Sequence, residues 1–187
     1  MNIIGISGSP TRDGNNEKMI EMALAVAEDR GFEVDRISLS ERAVSPCTAC
    51  GGCTNKKACT IDDDMAEIYP LLERADGIIV SSPVYFGCMT AQLKALFDRT
   101  LMLRRQGFLL SGKVGGAIAV GGSRNGGQEK TVQAIHDWMH VHGMIVVGDN
   151  GHFGGIVHAP AESDEAGMQT VRDTIGKICD VLGMIKQ

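Results

Sequence analysis

The sequence predicts an α/β domain: one doubly wound, five-stranded parallel sheet in the order 2-1-3-4-5, with helices on both faces as three layers. Three observations carry this. Short apolar runs alternate strictly with amphipathic helical stretches, which requires crossover connections and hence parallel neighbours. The clearest run, Gly77-Ile-Ile-Val-Ser81, is continuously apolar and β-branched, as strands buried on both faces are. The first run ends in a glycine- and serine-rich turn that opens at once into a helix, an arrangement that leaves a ligand crevice at the carboxyl edge of the sheet.

In chain order, Asn2 to Ser7 is the first strand. A helix follows from about Asn16 to Arg30, with Met19, Ile20, Ala23, Leu24 and Ala27 on one face and Gly31 placed to terminate it. Glu33 to Leu39 is the second strand. After a cysteine-rich segment, Asp62-Asp63-Asp64 offers a cap and favourable charge to a helix whose apolar face is Met65, Ile68, Tyr69 and Leu72; Pro70 is expected to kink it. The third strand, Gly77 to Ser81, leads through a short loop to a helix opening near Thr90, with Leu93, Leu96, Phe97 and Leu101 inward. Lys113 to Val120 is the fourth strand, and Gln128 to His142 the next helix. Met144 to Val147 is the fifth strand. A polar loop runs from there to Pro160, and the last helix starts near Ser163, with Val171, Ile175, Ile178 and Leu182 facing the core.

A chain of 187 residues, 43% hydrophobic and 22% charged, fits a single domain spanning 1–187 with a cysteine-rich loop at 46–60. The net charge of −5 argues against nucleic acid or an anionic membrane surface as partner. No apolar run reaches transmembrane length, and Met1 leads straight into a strand rather than a signal peptide, so the expected location is the cytoplasm. In that reducing compartment clustered cysteines more often bind metal than form disulfides. Cys88 and Cys179, remote from the cluster, read as small buried hydrophobes.

Four cysteines, Cys47, Cys50, Cys53 and Cys59, are spaced Cys-x2-Cys-x2-Cys-x5-Cys. Thiols so close in sequence cannot all bury on one face, but they can converge on a metal centre, with Gly51 and Gly52 allowing the tight turn between ligands. The spacing is similar to the compact run that holds a 4Fe–4S cluster in bacterial ferredoxins. Structural zinc is the main alternative, although zinc sites usually use two separated pairs, and a labile disulfide or free thiols complete the possibilities. Lys56 and Lys57, inside the last gap, can guide an acidic donor protein or simply be solvated.

Three loops suit one further ligand. Ser7-Gly-Ser-Pro-Thr-Arg-Asp-Gly-Asn-Asn16 matches neither a Walker A nor a GxGxxG motif. Its hydroxyls (Ser7, Ser9, Thr11), the Asn15 and Asn16 amides, Arg12 and a helix N-terminus suit a terminal phosphate; the alternative is a plain strand-to-helix turn with an Asn cap, which accounts for Asn16 but not for three hydroxyls in five residues. Pro83-Val84-Tyr85-Phe86-Gly87 places two aromatics where they can flank a flat ring or merely cover the core. Gly121-Gly122-Ser123-Arg-Asn-Gly-Gly127 frees backbone N–H groups to approach a polar ring edge. His136 and His140 share a helix face but read as a solvent-facing stripe, and Arg104 and Arg105 as helix C-terminal charges.

Together these loops and the strand order resemble the flavodoxin-like fold, and within it the NAD(P)H-dependent FMN reductase group, over about Met1 to Met184. With the cysteine run added, the chain resembles the iron–sulfur flavoprotein family. The resemblance implies FMN, its phosphate held by Ser7, Ser9, Thr11, Arg12 and Asn16. Pro83, Val84, Tyr85, Phe86 and Gly87 would meet the ribityl and isoalloxazine, and Gly121, Gly122, Ser123 and Gly127 the pyrimidine edge. It also implies a 4Fe–4S cluster on Cys47, Cys50, Cys53 and Cys59. The implied activity is an oxidoreductase coupling a one-electron donor such as ferredoxin to a quinone, oxygen or peroxide, in a homodimer or homotetramer. No catalytic side chain is required, because the cofactor carries the chemistry. The alternatives are a cluster-free reductase taking hydride from NAD(P)H, and a carrier domain holding structural zinc. The cysteine segment follows the second strand, so cluster and flavin are expected to share the carboxyl edge.

Overall fold

The computed structural model describes residues 1–55 and 58–185. Its strands are β1 (Asn2–Ser7), β2 (Glu33–Ser38), β3 (Gly77–Pro83), β4 (Val114–Gly121), β5 (Ile145–Val146) and β6 (Gly155–His158). They form one sheet in the order β2-β1-β3-β4-β5, with β6 also on β4, and every pairing is parallel. The register sets Ser7 between Ser38 and Ser81, so the turns after β1 and β3 leave the sheet side by side at the point where the strand order reverses.

The fifth position is shared. β5 pairs only with Val114 and Gly115, and β6 takes over opposite Ile118 to Gly121. The reading of 148–160 as an uninterrupted polar loop is therefore corrected. Its Gly, Asp and His content hides a strand that returns to β4 after a detour. Gly154 permits the return, because a Cβ there would run into the Ala117 carbonyl oxygen.

The helices are α1 (Asn15–Asp29), α2 (Gly52–Asn55), α3 (Met65–Arg74), α4 (Ala91–Arg99), α5 (Leu101–Arg105), α6 (Gln128–Val141) and α7 (Glu165–Ile185). α1 and α7 cover one face, where Met19, Ile20, Ala23, Leu24, Val171, Ile175 and Ile178 meet Ile3, Ile79 and Ile118. α3, α4 and α6 cover the other through Ile68, Leu72, Leu93, Leu96 and Ile135. Such burial, at roughly 1.5–3 kcal/mol per large aliphatic side chain, holds the layers together. α3 runs from Met65 to Arg74 with Pro70 inside it. Its first turn is capped by Asp63, whose Oδ1 accepts from the Met65 N–H at 3.1 Å, while Asp64 already has helical backbone angles.

Two expectations about small polar groups change. Cys179 is buried, but Cys88 is exposed, because it closes a surface turn with Tyr85. The solvent-facing histidine stripe reduces to His140: His136 is half-buried, and the adjoining His142 lies buried against Trp138 and Thr100. Among the described residues no helix is long and apolar enough to cross a membrane.

Candidate functional site

The turn after β1 is held from β3 and α4. Gly8 N–H donates to the Ser81 carbonyl at 2.7 Å, and Thr90 Oγ1 donates to the Gly8 carbonyl at 2.6 Å. A Cβ on Gly8 would lie 2.8 Å from Leu93 and 3.0 Å from the Ser81 oxygen, so the close approach requires glycine. Ser7, Ser9 and Asn16 are buried, whereas Thr11 and Arg12 stand at the rim. Ser7 Oγ has no partner; Ser9 Oγ accepts from the Thr11 N–H at 3.1 Å. Asn16 Oδ1 accepts from Ser81 Oγ at 2.6 Å, tying α1 to β3, and Arg12 pairs with Glu41 at 3.3 Å.

Sequence reasoning missed Glu17. It is buried beneath this turn, accepting from the Asp13 N–H at 2.5 Å, from Ser40 Oγ at 2.8 Å and from Ser38 Oγ. Burial pushes its carboxyl up, but the serine hydroxyls, the Asp13 N–H and nearby Arg36 together outweigh burial and hold it below the usual range. Asp13 has φ +53°, and Glu17 holds its N–H. The sequence signal was an acid in the first turn of a helix, a position that ordinarily reads as dipole compensation.

After β3, Tyr85 and Cys88 exchange backbone hydrogen bonds of 2.8 and 3.1 Å around Phe86 (φ +50°) and Gly87 (φ +79°), the angles of a type I′ turn. That turn carries Phe86 wholly into solvent and leaves Tyr85 about half exposed, so neither ring covers the core. Thr90 caps α4, its side chain accepting from the Leu93 N–H.

After β4, Gly127 has φ +110°, and a Cβ there would lie 3.2 Å from Gly87 Cα and Val84, so the second and third loops touch. Gly122 and Ser123 are exposed. Gln128, also missed, is 2% exposed and braces the loop from inside. Its Nε2 donates to the Ser123 carbonyl at 2.8 Å and the Val157 carbonyl at 3.4 Å. Three adjacent strands thus bring a hydroxyl-lined turn at a helix start, a projecting aromatic turn and a glycine-rich loop to one edge. Such an edge can receive an anionic tail and a flat ring.

The four cysteines line one cavity of about 140 Å³ with Ile61, Arg99 and Arg105. Cys50 Sγ lies 3.1 Å from Thr60 Oγ1, Cys53 Sγ accepts from Arg105 Nη1 at 3.1 Å, and Cys47 Sγ accepts from the Ala49 N–H at 3.4 Å. The Thr60 hydroxyl first, then the Gly52 N–H, lower the pKa of the Cys50 thiol. Among the described residues no three His, Cys, Asp or Glu side chains close on a single-ion position. Lys56 and Lys57 lie outside the described residues.

The expected shared edge is corrected. The flavin-type loops gather around Thr90 at the start of α4, whereas the thiol cavity rests on Arg99, Leu101, Met102 and Arg105 beyond its end. Nine helical residues separate the two by about 13 Å of axis. The cause is that the cysteine segment folds back along the helix layer, tied by Ala43 N–H to Asp64 and by Ser45 to Asp63 and Arg99.

A groove of about 740 Å³ runs between α4–α5 and α6, walled by Met89, Phe97, Leu101, Trp138 and Val141. A second, of about 650 Å³, lies beside β6 between the starts of α6 and α7.

The profile of the NADPH-dependent FMN reductase family matches residues 1–156. An iron–sulfur flavoprotein of Methanosarcina thermophila is 62% identical over 187 residues, covering 100% of this chain and 98% of its own. One from Methanocaldococcus jannaschii is 46% identical over 194 residues, with 100% of each chain covered. Among solved structures, a flavodoxin from the domain Archaea superposes with TM-score 0.65 at 19% identity, over 98% of this chain and 99% of its own. An NADH:FMN oxidoreductase in its apo form superposes with TM-score 0.72 at 22% identity, over 96% and 89%. At these identities the structural likeness concerns the fold.

Proposed function

The chain belongs to the NADPH-dependent FMN reductase family, grouping there with the iron–sulfur flavoproteins, and on that premise we propose how this flavin-dependent oxidoreductase is built and used. FMN sits on the three loops, its phosphate at Ser7, Ser9, Thr11, Arg12 and Asn16. Pro83 to Gly87 lie along the ribityl and ring, and Gly121, Gly122, Ser123 and Gly127 along the pyrimidine edge. The buried Ser7 hydroxyl without a partner fits such a ligand, since a group of this kind ordinarily finds one. So does the close approach of Gly127 to Gly87, which keeps side chains out of the ring's path.

The four cysteines hold a 4Fe–4S cluster. The observation that carries this is their common cavity: four thiols, a soft donor set, collected from 13 residues of chain onto one hollow. A buried Arg99 Nε–H with no partner, on a side chain that lines the same cavity, fits a sulfur acceptor there. When bound, the cluster supplies one-electron transfer, and FMN supplies one- and two-electron chemistry. The chain's own part is to hold the thiols, orient the flavin ring and present it at an open edge.

The electron donor is a one-electron carrier of the ferredoxin type, and the acceptor a quinone, oxygen or peroxide. The family description favours a second reading, in which NAD(P)H delivers hydride to the flavin. Because the thiol cavity lies at the far end of α4 from the loops, the proposal includes a homodimer or homotetramer that sets one protomer's thiols near its partner's flavin. The projecting Phe86 and the apolar groove beside α6 supply surface for it.

Anaerobic purification followed by absorption spectroscopy, iron and sulfide analysis, and mass spectrometry of the released nucleotide tests the assignment. FMN plus about four irons per chain is expected from a 4Fe–4S cluster; FAD, or zinc in place of iron, refutes it. Cys50→Ser should lose iron and ferredoxin-driven flavin reduction together. Retention of both overturns the cluster, while loss of iron with intact NAD(P)H-driven reduction favours the second reading.

A further inference from the structure

The cysteine segment has a neck, and one buried side chain closes it. Arg99 Nη1 donates to the Ser45 carbonyl at 2.9 Å, on the N-terminal side of the segment; Nη2 lies 3.5 Å from the Ile61 carbonyl on the C-terminal side. The same guanidinium grips Asp63 with both arms, at 2.7 and 3.0 Å. Asp63 in turn accepts from the Ser45 N–H at 2.9 Å and the Met65 N–H at 3.1 Å. The side chains are only 1% and 6% exposed.

A buried ion pair is a costly way to join two strands of chain, and an apolar pair of similar volume is often at least as stable. The planar fork of arginine nevertheless does what lysine cannot, reaching both ends of the segment and a carboxylate from one fixed group. Arg99 also lines the thiol cavity with its Nε–H unpartnered. From α5, Arg105 Nη1 donates to Cys53 Sγ at 3.1 Å, and Gln106 Nε2 to the Cys53 carbonyl at 3.2 Å. The neighbouring Arg104 turns elsewhere, over the Phe108 ring at 5.0 Å. The acid at the cavity rim, Asp98, is already paired with Lys94 at 2.6 Å. Among the described residues, the charge of Arg99 is thus matched by Asp63 and that of Asp98 by Lys94, which leaves Arg105 as the cation against the thiol cavity with no carboxylate paired to it.

We propose that Arg99 and Arg105 form an arginine seat for the thiol cavity with divided roles: Arg99, on Asp63, keeps the neck of the cysteine segment closed, and the Arg105 guanidinium raises the reduction potential of the cluster held there. Net charge and N–H donors to sulfur set such potentials, because one-electron reduction adds a negative charge that a nearby cation stabilises. Both arginines are positioning residues, acting through the thiols. The inference rests on the cluster reading given above.

The test uses full-length protein reconstituted anaerobically with ferrous iron and sulfide: wild type, Arg105→Gln, Arg105→Lys and Arg99→Lys. Arg105→Gln should bind iron at wild-type stoichiometry. Its reduced-to-oxidised ratio at a fixed potential should be about three- to tenfold lower, a fall of about 30–60 mV for a one-electron couple, read by an EPR-monitored titration. Arg105→Lys should restore most of that ratio. Arg99→Lys keeps the charge but loses the fork; with far-UV circular dichroism and FMN retention unchanged, it should surrender iron to a chelator at least about tenfold faster. Should that variant not fold, Asp63→Asn, which keeps one acceptor at the neck, replaces it with the same expectation. An unchanged potential in Arg105→Gln, or iron held as long as in wild type once the neck is altered, overturns the proposal and leaves the cluster reading standing. Wild-type protein that takes up no iron overturns the cluster reading, and this inference with it.

Discussion

Replacing Gly121 with alanine isolates the brace behind the third flavin loop. Gly121 ends β4 opposite His158, and its φ lies outside the left-handed region, so alanine meets no backbone strain there. The obstacle is Gln128, whose side-chain amide lies flat on the glycine: a Cβ would be 2.5 Å from Gln128 Cδ and 3.0 Å from Oε1. To make room the amide must swing away, leaving the Ser123 and Val157 carbonyls without their donor. One good and one long hydrogen bond, plus the repacking of a side chain 2% exposed, amount to about 2–4 kcal/mol. For a chain of 187 residues that is a fall in Tm of about 5–15 °C. Differential scanning calorimetry of the apoprotein reads the stability, and fluorescence titration with FMN reads the loop, which should bind more weakly. Gly122→Ala is the control, since nothing lies within 4 Å of a Cβ there and its effect should stay within about 0.5 kcal/mol. The decisive comparison is a double-mutant cycle: once Gln128 is alanine, Gly121→Ala should cost little more. Equal costs of Gly121→Ala with and without Gln128, or a Tm within 2 °C of wild type, would refute the brace.

Glu17→Gln should lower stability by about 1–2 kcal/mol at neutral pH and weaken phosphate-loop order. The Glu17 carboxyl is held below its ordinary value in the fold, so its contribution is present above the unfolded pKa and lost as pH falls through the folded one. Urea midpoints at pH 7 and pH 3 check this, and a difference undiminished at pH 3 contradicts it. His142 is pushed down to about 4 by burial, with Arg104 adding to the effect. The unfolded imidazole takes up a proton below about 6.5, so stability should fall by up to about 3 kcal/mol between pH 6.5 and 4. In His142→Gln the slope of Tm against pH should flatten over that window; an unchanged slope assigns the acid lability elsewhere. Phe86→Ser should leave the apoprotein's Tm within about 1 °C, because the ring touches solvent alone, while reducing FMN retention or oligomer content by sedimentation. A large loss of apoprotein stability would place Phe86 in a packed environment instead.

The alternation of strands and helices was legible in the chain because it follows from local periodicity, and the order 2-1-3-4-5 was read from that alternation and from the phosphate-type turn after the first strand. Ile-Ile-Val after Gly77 is short, β-branched and bounded by glycine and serine, which marks a strand buried on both faces, and the spacing of apolar residues from Met19 to Ala27 marks one face of a helix. The grouping of Ser7, Pro83 and Gly121 at one edge followed with it, since in a parallel sheet every strand-to-helix turn leaves by the same side. The spacing of Cys47, Cys50, Cys53 and Cys59 likewise predicted that the four thiols converge, and they line one cavity. What the tertiary structure alone decided are pairings between residues far apart in sequence. β6 has no pattern of its own and exists because Gly154 lets the chain return beside Ala117. Glu17 with Ser38 and Ser40, and Gln128 with Val157, look like ordinary first-turn helix residues until the strands they reach are in place. The position of the thiol cavity depends most on such a pairing. A loop leaving β2 ends beyond the far end of α4 because Arg99, an unremarkable cation in the sequence, is buried on Asp63 and draws both ends of the loop to itself.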